Sequence, residues 1–163
     1  MKRLARPVEY EFEIKKSRFI CYLHHIDDEE QAKTLLEQIK VEHPKAAHHC
    51  VAYVIKKDTI YRFDDDNEPQ HTAGKVMLNV LIKQDLDHIL AVVVRYFGGI
   101  KLGRGGLVKA YTASVSEALQ QAEFEALMLT HRVTFNSPFA YAPAIEAYSH
   151  HIQGQVHANY QQD

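Results

Sequence analysis

A chain of 163 residues with 46% apolar and 25% charged side chains has the composition of a folded globular domain, which excludes a disordered or low-complexity segment. Its 19 Lys and Arg against 21 Asp and Glu exclude nucleic-acid binding through the overall field, so any such activity must reside in a local patch. Two cysteines without CxxC spacing, Cys21 and Cys50, exclude a disulfide framework and a cysteine zinc site; with no secretory h-region and no long apolar run, the expectation is a cytoplasmic protein without a membrane partner.

Val8–Ile14 and Ser17–Ile26 read as extended segments, the first carried by the alternation of Tyr10, Phe12 and Ile14. Asp28 is placed to cap a helix, with Gln31 at the capping-box position and Ala32, Leu35, Leu36 and Ile39 at helical spacing. His43-Pro44 ends that helix, because the residue before proline avoids the α region. Residues 48–55 and 59–65 form a strand pair around a turn at 56–58, and the acidic connection "DDDNEPQHT" follows. Thr72 is placed to cap a second helix with Ala73, Met77, Val80 and Leu81 as its apolar stripe.

"HILAVVVRYF" is the most apolar strand and is expected at the centre of the sheet. Beyond the glycines that follow it, Leu107, Val108, Tyr111, Val115, Ala118, Leu119 and Ala122 mark one face of a long helix. The order β-β-α-β-β-α-β-α predicts an α/β sandwich with mixed strand directions, and hence an α+β protein. Past Glu125 the chain reads strand, short helix, strand, too few strands to close a sheet. The expected organisation is a domain over 1–125 and an incomplete α+β domain over 126–163.

Chemistry concentrates between the central strand and the long helix. Gly98, Gly99, Gly103, Gly105 and Gly106 are surrounded by Arg95, Lys101, Arg104 and Lys109, with no acidic residue from Val92 to Ser116. Glycines let backbone N–H groups converge, and a helix N-terminus adds partial positive charge, so this is the general make-up of an anion-binding turn. The spacing excludes a Walker A loop, which needs Lys after its second glycine, and a GxGxxG loop, which would need glycine at Val108. The competing reading is a tight crossing of helix over sheet with solvated cations. For a nucleic-acid ligand, Tyr96, Phe97 and Tyr111 are the candidates to stack bases, although Tyr111 lies on the apolar helix face and is expected in the core.

Asp64, Asp65, Asp66 and Glu68 form an acidic cluster that cannot be an EF-hand, since Pro69 and Lys75 stand at the positions for glycine and the final acid. Magnesium held with a phosphate ligand, a solvated turn, and a salt-bridging partner for the basic loop stay open. His24-His25 and His48-His49 are adjacent pairs whose side chains leave opposite strand faces, so no metal site is expected. A nucleophilic Cys50 would need an orienting group that nothing in the sequence identifies. No cofactor is expected.

"AVVVRYFGGIKLGRGGLVKAY", together with "TAGKVMLNVL", "HHCVAYVI", "EIKKSRF" and "EHPKAAHH", resembles the IMPACT family, including its bacterial YigZ-like members. The resemblance covers about residues 8–125. It departs at Asn67, His71 and Val76, where the family usually carries glycine, a small residue or glycine, and proline. The resemblance implies a first domain like the second domain of a small-subunit ribosomal protein, with a left-handed β-α-β crossover, and the start of a ferredoxin-like second domain. It also implies association with translation, since eukaryotic relatives bind a translational regulator and restrain the stress kinase that reads uncharged tRNA.

Two functions follow as expectations. One is a non-enzymatic module contacting RNA, a ribosomal surface or a translation regulator through Arg95, Tyr96, Gly98, Gly99, Lys101, Gly103, Arg104, Gly105, Gly106 and Lys109. The other is an enzyme acting on a small phosphorylated molecule, in which Asp64, Asp65 or Glu68 faces the loop and holds a metal ion.

Overall fold

A computed structural model describes residues 2–56, 59–126, 133–152 and 154–159. After a short strand β1 (Lys2–Leu4) the chain forms β2 (Val8–Ile14), β3 (Ser17–His25), α1 (Glu29–Glu42), β4 (His48–Ile55) and β5 (Ile60–Asp64). It continues as α2 (Gly74–Lys83), β6 (Ile89–Tyr96), α3 (Gly103–Gln120) and β7 (Phe124–Ala126). The expected order of elements is present, and β1 and β7 add a separate antiparallel ribbon that sets Lys2 opposite Ala126. Arg3 pairs with Glu125 and Arg6 with Glu123 along it.

The main sheet has the order β2-β3-β6-β4-β5, and every neighbouring pair is antiparallel. This corrects the expected mixture of strand directions. Each helical crossover, β3-α1-β4 and β5-α2-β6, skips one strand, so an oppositely running strand always separates the two that a helix connects.

β6 is central, and all but its last residue are buried. The period of two then divides the core into two layers. Phe19, Cys21, Ala52, Ala91 and Val93 face α2 and α3, whereas Ile20, Val51, Leu90, Val92 and Val94 face α1. Burying each of the larger aliphatic side chains contributes about 1.5–3 kcal/mol, which is why the most apolar strand takes the central position, covered on both faces.

The α1 cap is local and as expected: Asp28 Oδ1 accepts from Gln31 N at 2.8 Å, while Gln31 Oε1 accepts from Asp27 N at 2.9 Å. The α2 cap is a correction. The Thr72 hydroxyl donates to the Pro69 carbonyl, and the Asp65 carboxylate instead accepts from the N–H groups of His71, Ala73 and Gly74 at 2.7, 3.1 and 2.8 Å. A carboxylate reaches three donors at once and adds favourable charge at the helix start, which a threonine cannot match. The chain can return to Asp65 only because Gly74 has no side chain: a Cβ there would lie 2.4 Å from the Asp64 carbonyl oxygen.

Residues 1–128 form one unit and 129–163 another. In the second, a 3-10 turn at Phe139–Tyr141 leads into α4 (Ala142–His151), the short helix expected there. The first strand expected in this region falls largely on 127–132, outside the described residues, and 154–159 are not in a strand. Among the described residues no helix is long and apolar enough to cross a membrane.

Candidate functional site

β6 ends at Tyr96, and a loop through Phe97–Leu102 carries the chain into α3. Gly98 is the point of closest approach. A Cβ there would lie 2.0 Å from the Lys16 carbonyl carbon and oxygen, and the Gly98 N–H donates to the Ser17 hydroxyl at 3.2 Å. The loop is therefore seated on the turn between β2 and β3. Gly99 and Gly103 adopt left-handed φ values of 84° and 75°. Gly105 is different: its φ is not left-handed, it is exposed, and nothing lies within 4 Å of where its Cβ would be.

α3 has no side-chain N-cap and no acid in its first turn, so no side chain of the helix start offsets the partial positive charge there. Lys101, Arg104 and Lys109 are exposed around that end. Arg104 Nη2 donates to the Gln70 carbonyl at 2.9 Å, which draws the acidic connection against the helix start.

Arg95 is placed elsewhere. It is 5% exposed, and its Nη1 donates to Glu68 Oε1 at 2.6 Å. Tyr111 donates its hydroxyl proton to the same oxygen at 2.8 Å, and the Cys50 thiol lies 3.3 Å from the Tyr111 hydroxyl. The structure thus separates Arg95 from Lys101, Arg104 and Lys109 and turns it into an internal counter-ion. Burial pushes the Cys50 thiol and the Tyr111 phenol well above their ordinary values, which favours the neutral forms and works against a thiolate at Cys50.

The aromatic candidates are also divided. Tyr111 is core, as its helix face implied. Tyr96 lies on the α1 face, where His43 joins two hydroxyls: His43 Nδ1 is 2.8 Å from Tyr96 Oη and His43 Nε2 is 2.7 Å from Tyr22 Oη. Only Phe97 of the three is open, at 51% exposure.

The acidic cluster is consumed internally. Asp64 accepts from Asp66 N, Asp65 caps α2, Asp66 accepts from His49 N at 2.6 Å, and Glu68 holds Arg95. Among the described residues no group of three or more His, Cys, Asp or Glu side chains is arranged to hold a metal ion. Three residues of this connection are left-handed, Asp66 at φ 40°, Asn67 at φ 66° and His71 at φ 63°, and the last two stand where the family resemblance implies glycine or a small residue. Asn visits that region at little cost and His less readily, which explains how the turn survives both replacements.

Sequence reasoning missed Lys15 and Lys16. Both have left-handed φ, 47° and 61°, and together they form the two-residue turn on which Gly98 rests. The only sequence signal was a pair of residues left over between two alternating segments. The usual marker of such a turn, Asn-Gly, is absent.

A family model described as the Impact N-terminal domain matches residues 15–119. The IMPACT family member YigZ of Escherichia coli (strain K12) is 44% identical over 155 residues, 93% of this chain and 76% of that protein. The IMPACT family member YvyE of Bacillus subtilis (strain 168) is 53% identical over 112 residues, so this chain matches 68% of its own length but only 52% of that relative's. A solved structure described as a hypothetical protein is 40% identical and superposes with a TM-score of 0.74, covering 98% of this chain and 80% of that one. The structure of Yih1, described as a two-domain translational regulator, is 28% identical over 72% of this chain and 45% of its own, with a TM-score of 0.42.

Proposed function

This chain belongs to the IMPACT family, and from that premise we propose that it is a non-enzymatic, cytoplasmic, translation-associated binding module. Its glycine-rich loop contacts RNA, a ribosomal surface or a translation regulator. The observation that carries this reading is Gly105. Glycine in a helix costs about 0.5–1 kcal/mol relative to alanine, and neither conformation nor crowding demands it here. Its bareness leaves the first-turn N–H groups of α3 open to an outside anion, with Gly103 and Gly106 beside it. Lys101, Arg104 and Lys109 supply the charge, while Arg95 and Glu68 fix the root of the loop from within. The translational association is carried over from family membership. So are two finer points of architecture: a left-handed crossover like that of the second domain of a small-subunit ribosomal protein, and the start of a ferredoxin-like fold beyond residue 125.

The enzyme reading drew on Asp64, Asp65 or Glu68 to hold a metal ion. Each of them is occupied by internal hydrogen bonds, so no observation favours that alternative. The test is RNA binding as a function of salt for the wild type and for an Arg104→Ala/Lys109→Ala double variant. Affinity should fall steeply with salt, and the double variant should flatten the slope by about 0.7–0.9 for each phosphate contact removed. Absent or salt-insensitive binding to both structured and single-stranded RNA sinks the nucleic-acid form of the proposal.

A further inference from the structure

The tip of the β2–β3 hairpin lies directly under the glycine loop and has no role in the reading above. Its turn is filled by Lys15 and Lys16, both in left-handed conformations. That geometry suits Asn-Gly and holds other side chains at a cost, so the fold alone gives no reason for two lysines. Gly98 packs on the Lys16 backbone, which makes tip and loop one continuous surface.

Alternation along β2 sorts charge between the two faces of the sheet. Tyr10 and Phe12 pack into the core layer beneath α2 and α3, so Ile14 shares their face and Glu9, Glu11 and Glu13 take the opposite one. Along the hairpin end and the glycine loop, three apolar side chains are open: Ile14 at 37%, Phe97 at 51% and Ile100 at 44%. The ring of Phe97 is braced by the Arg95 guanidinium, 5.7 Å from its centroid. Among the described residues Lys15, Lys16 and Lys101 have no ion-pair partner.

We propose that the Lys15–Lys16 tip and Phe97 form a second contact of the same site, and that the ligand they take is single-stranded RNA. The lysines bind backbone phosphates on either side of a base that stacks on Phe97. An exposed aromatic ring among unpaired cations is the equipment of single-strand recognition, whereas a duplex keeps its base faces stacked and offers that ring nothing. The proposal rests on the reading of the glycine loop as an RNA contact.

The test uses the full chain and fluorescence anisotropy with a labelled uridine oligonucleotide of about 12 nucleotides and a duplex of equal length. Lys15→Asn/Lys16→Gly removes both charges while giving the turn the residues it favours, so the variant folds at least as well, which its thermal midpoint verifies. We expect it to lower the salt slope for the single strand by about 1.4, from roughly 0.7 per lost contact. Phe97→Leu should weaken single-strand binding about ten-fold and duplex binding by no more than about two-fold.

An unchanged slope in the hairpin variant, with a flattened one in Arg104→Ala/Lys109→Ala, overturns the tip contact and leaves the loop reading standing. Equal losses on both RNAs in Phe97→Leu overturn the single-strand assignment. A wild type that binds neither RNA sinks the loop reading and this one together. Co-sedimentation of that wild type with phosphatidylserine vesicles would then give the tip to a lipid surface instead.

Discussion

Gly105→Ala distinguishes a glycine kept for the fold from one kept for a ligand. The site is exposed, its φ is compatible with any residue, and the added methyl meets nothing within 4 Å. The substitution removes freedom from the unfolded chain and should stabilise the first unit by about 0.5–1 kcal/mol. For a unit spanning 1–128 the unfolding entropy is about 0.27 kcal/mol/K, so Tm should rise by about 2–4 °C in a calorimetric scan. RNA affinity measured on the same sample should drop about ten-fold, because the methyl holds a phosphate away from the first-turn N–H groups; that is the size of one charge-assisted hydrogen bond. Gly98→Ala is the opposite control. Its methyl would fall 2.0 Å from the Lys16 carbonyl, so overpacking should cost about 2–3 kcal/mol and lower Tm by about 7–11 °C. A lower Tm in Gly105→Ala would show that the fold needs that glycine. Unchanged RNA affinity would remove the α3 backbone from the site.

Glu68→Gln should destabilise the protein by about 3–5 kcal/mol in urea denaturation, since Arg95 and Glu68 are 6% and 3% exposed and bonded at 2.6 Å; a loss below about 1 kcal/mol would mean the guanidinium charge is compensated by other groups. His71→Gly should raise the urea midpoint, because it relieves a left-handed φ of 63° worth about 1 kcal/mol; a lower midpoint would show that the edge contact of His71 with Phe63 outweighs that strain. Burial lowers the pKa of His24 and of His49 below the ordinary 6.5, so the unfolded chain takes up more protons than the folded one as pH falls below that value. Stability should therefore be full above about pH 6.5 and decline below it, and His24→Gln/His49→Gln should flatten the decline; an unaltered pH profile in that variant would refute the assignment.

The elements were legible where their determinants are local. The Asp28 cap needs only a residue three positions on, and β6 is apolar enough to announce that it is covered on both faces. The α2 cap was not legible, because Thr72 is the local candidate and Asp65 reaches the helix only through the path of the connection between them. Strand direction failed for a related reason: two helical crossovers suggest parallel neighbours, and only the interleaving of the crossovers β3-α1-β4 and β5-α2-β6 places β6 between β3 and β4. In the site, composition collected Arg95 with Lys101, Arg104 and Lys109 as one cationic group. The period of two along β6 turns Arg95 inward to meet Glu68, 27 residues away, and no spacing rule connects those two positions. Of the acidic cluster, Glu68 meets Arg95 inside the fold, whereas Arg104 reaches the same connection through the Gln70 carbonyl rather than a carboxylate.

The small ribbon of β1 with β7 has a consequence for how the protein is made. It joins Arg3 to Glu125 across 122 positions, while Lys2 also bonds the Asp85 carbonyl and the Asp87 N–H, and Leu4, 3% exposed, belongs to the core. During synthesis at about 5–20 residues per second, the N-terminal arm must wait roughly 6–24 s for its partner strand to emerge. The nascent first unit thus gains its β1–β7 ribbon only as its last strand leaves the exit tunnel, after the partners of Lys2 at Asp85 and Asp87 have already been made.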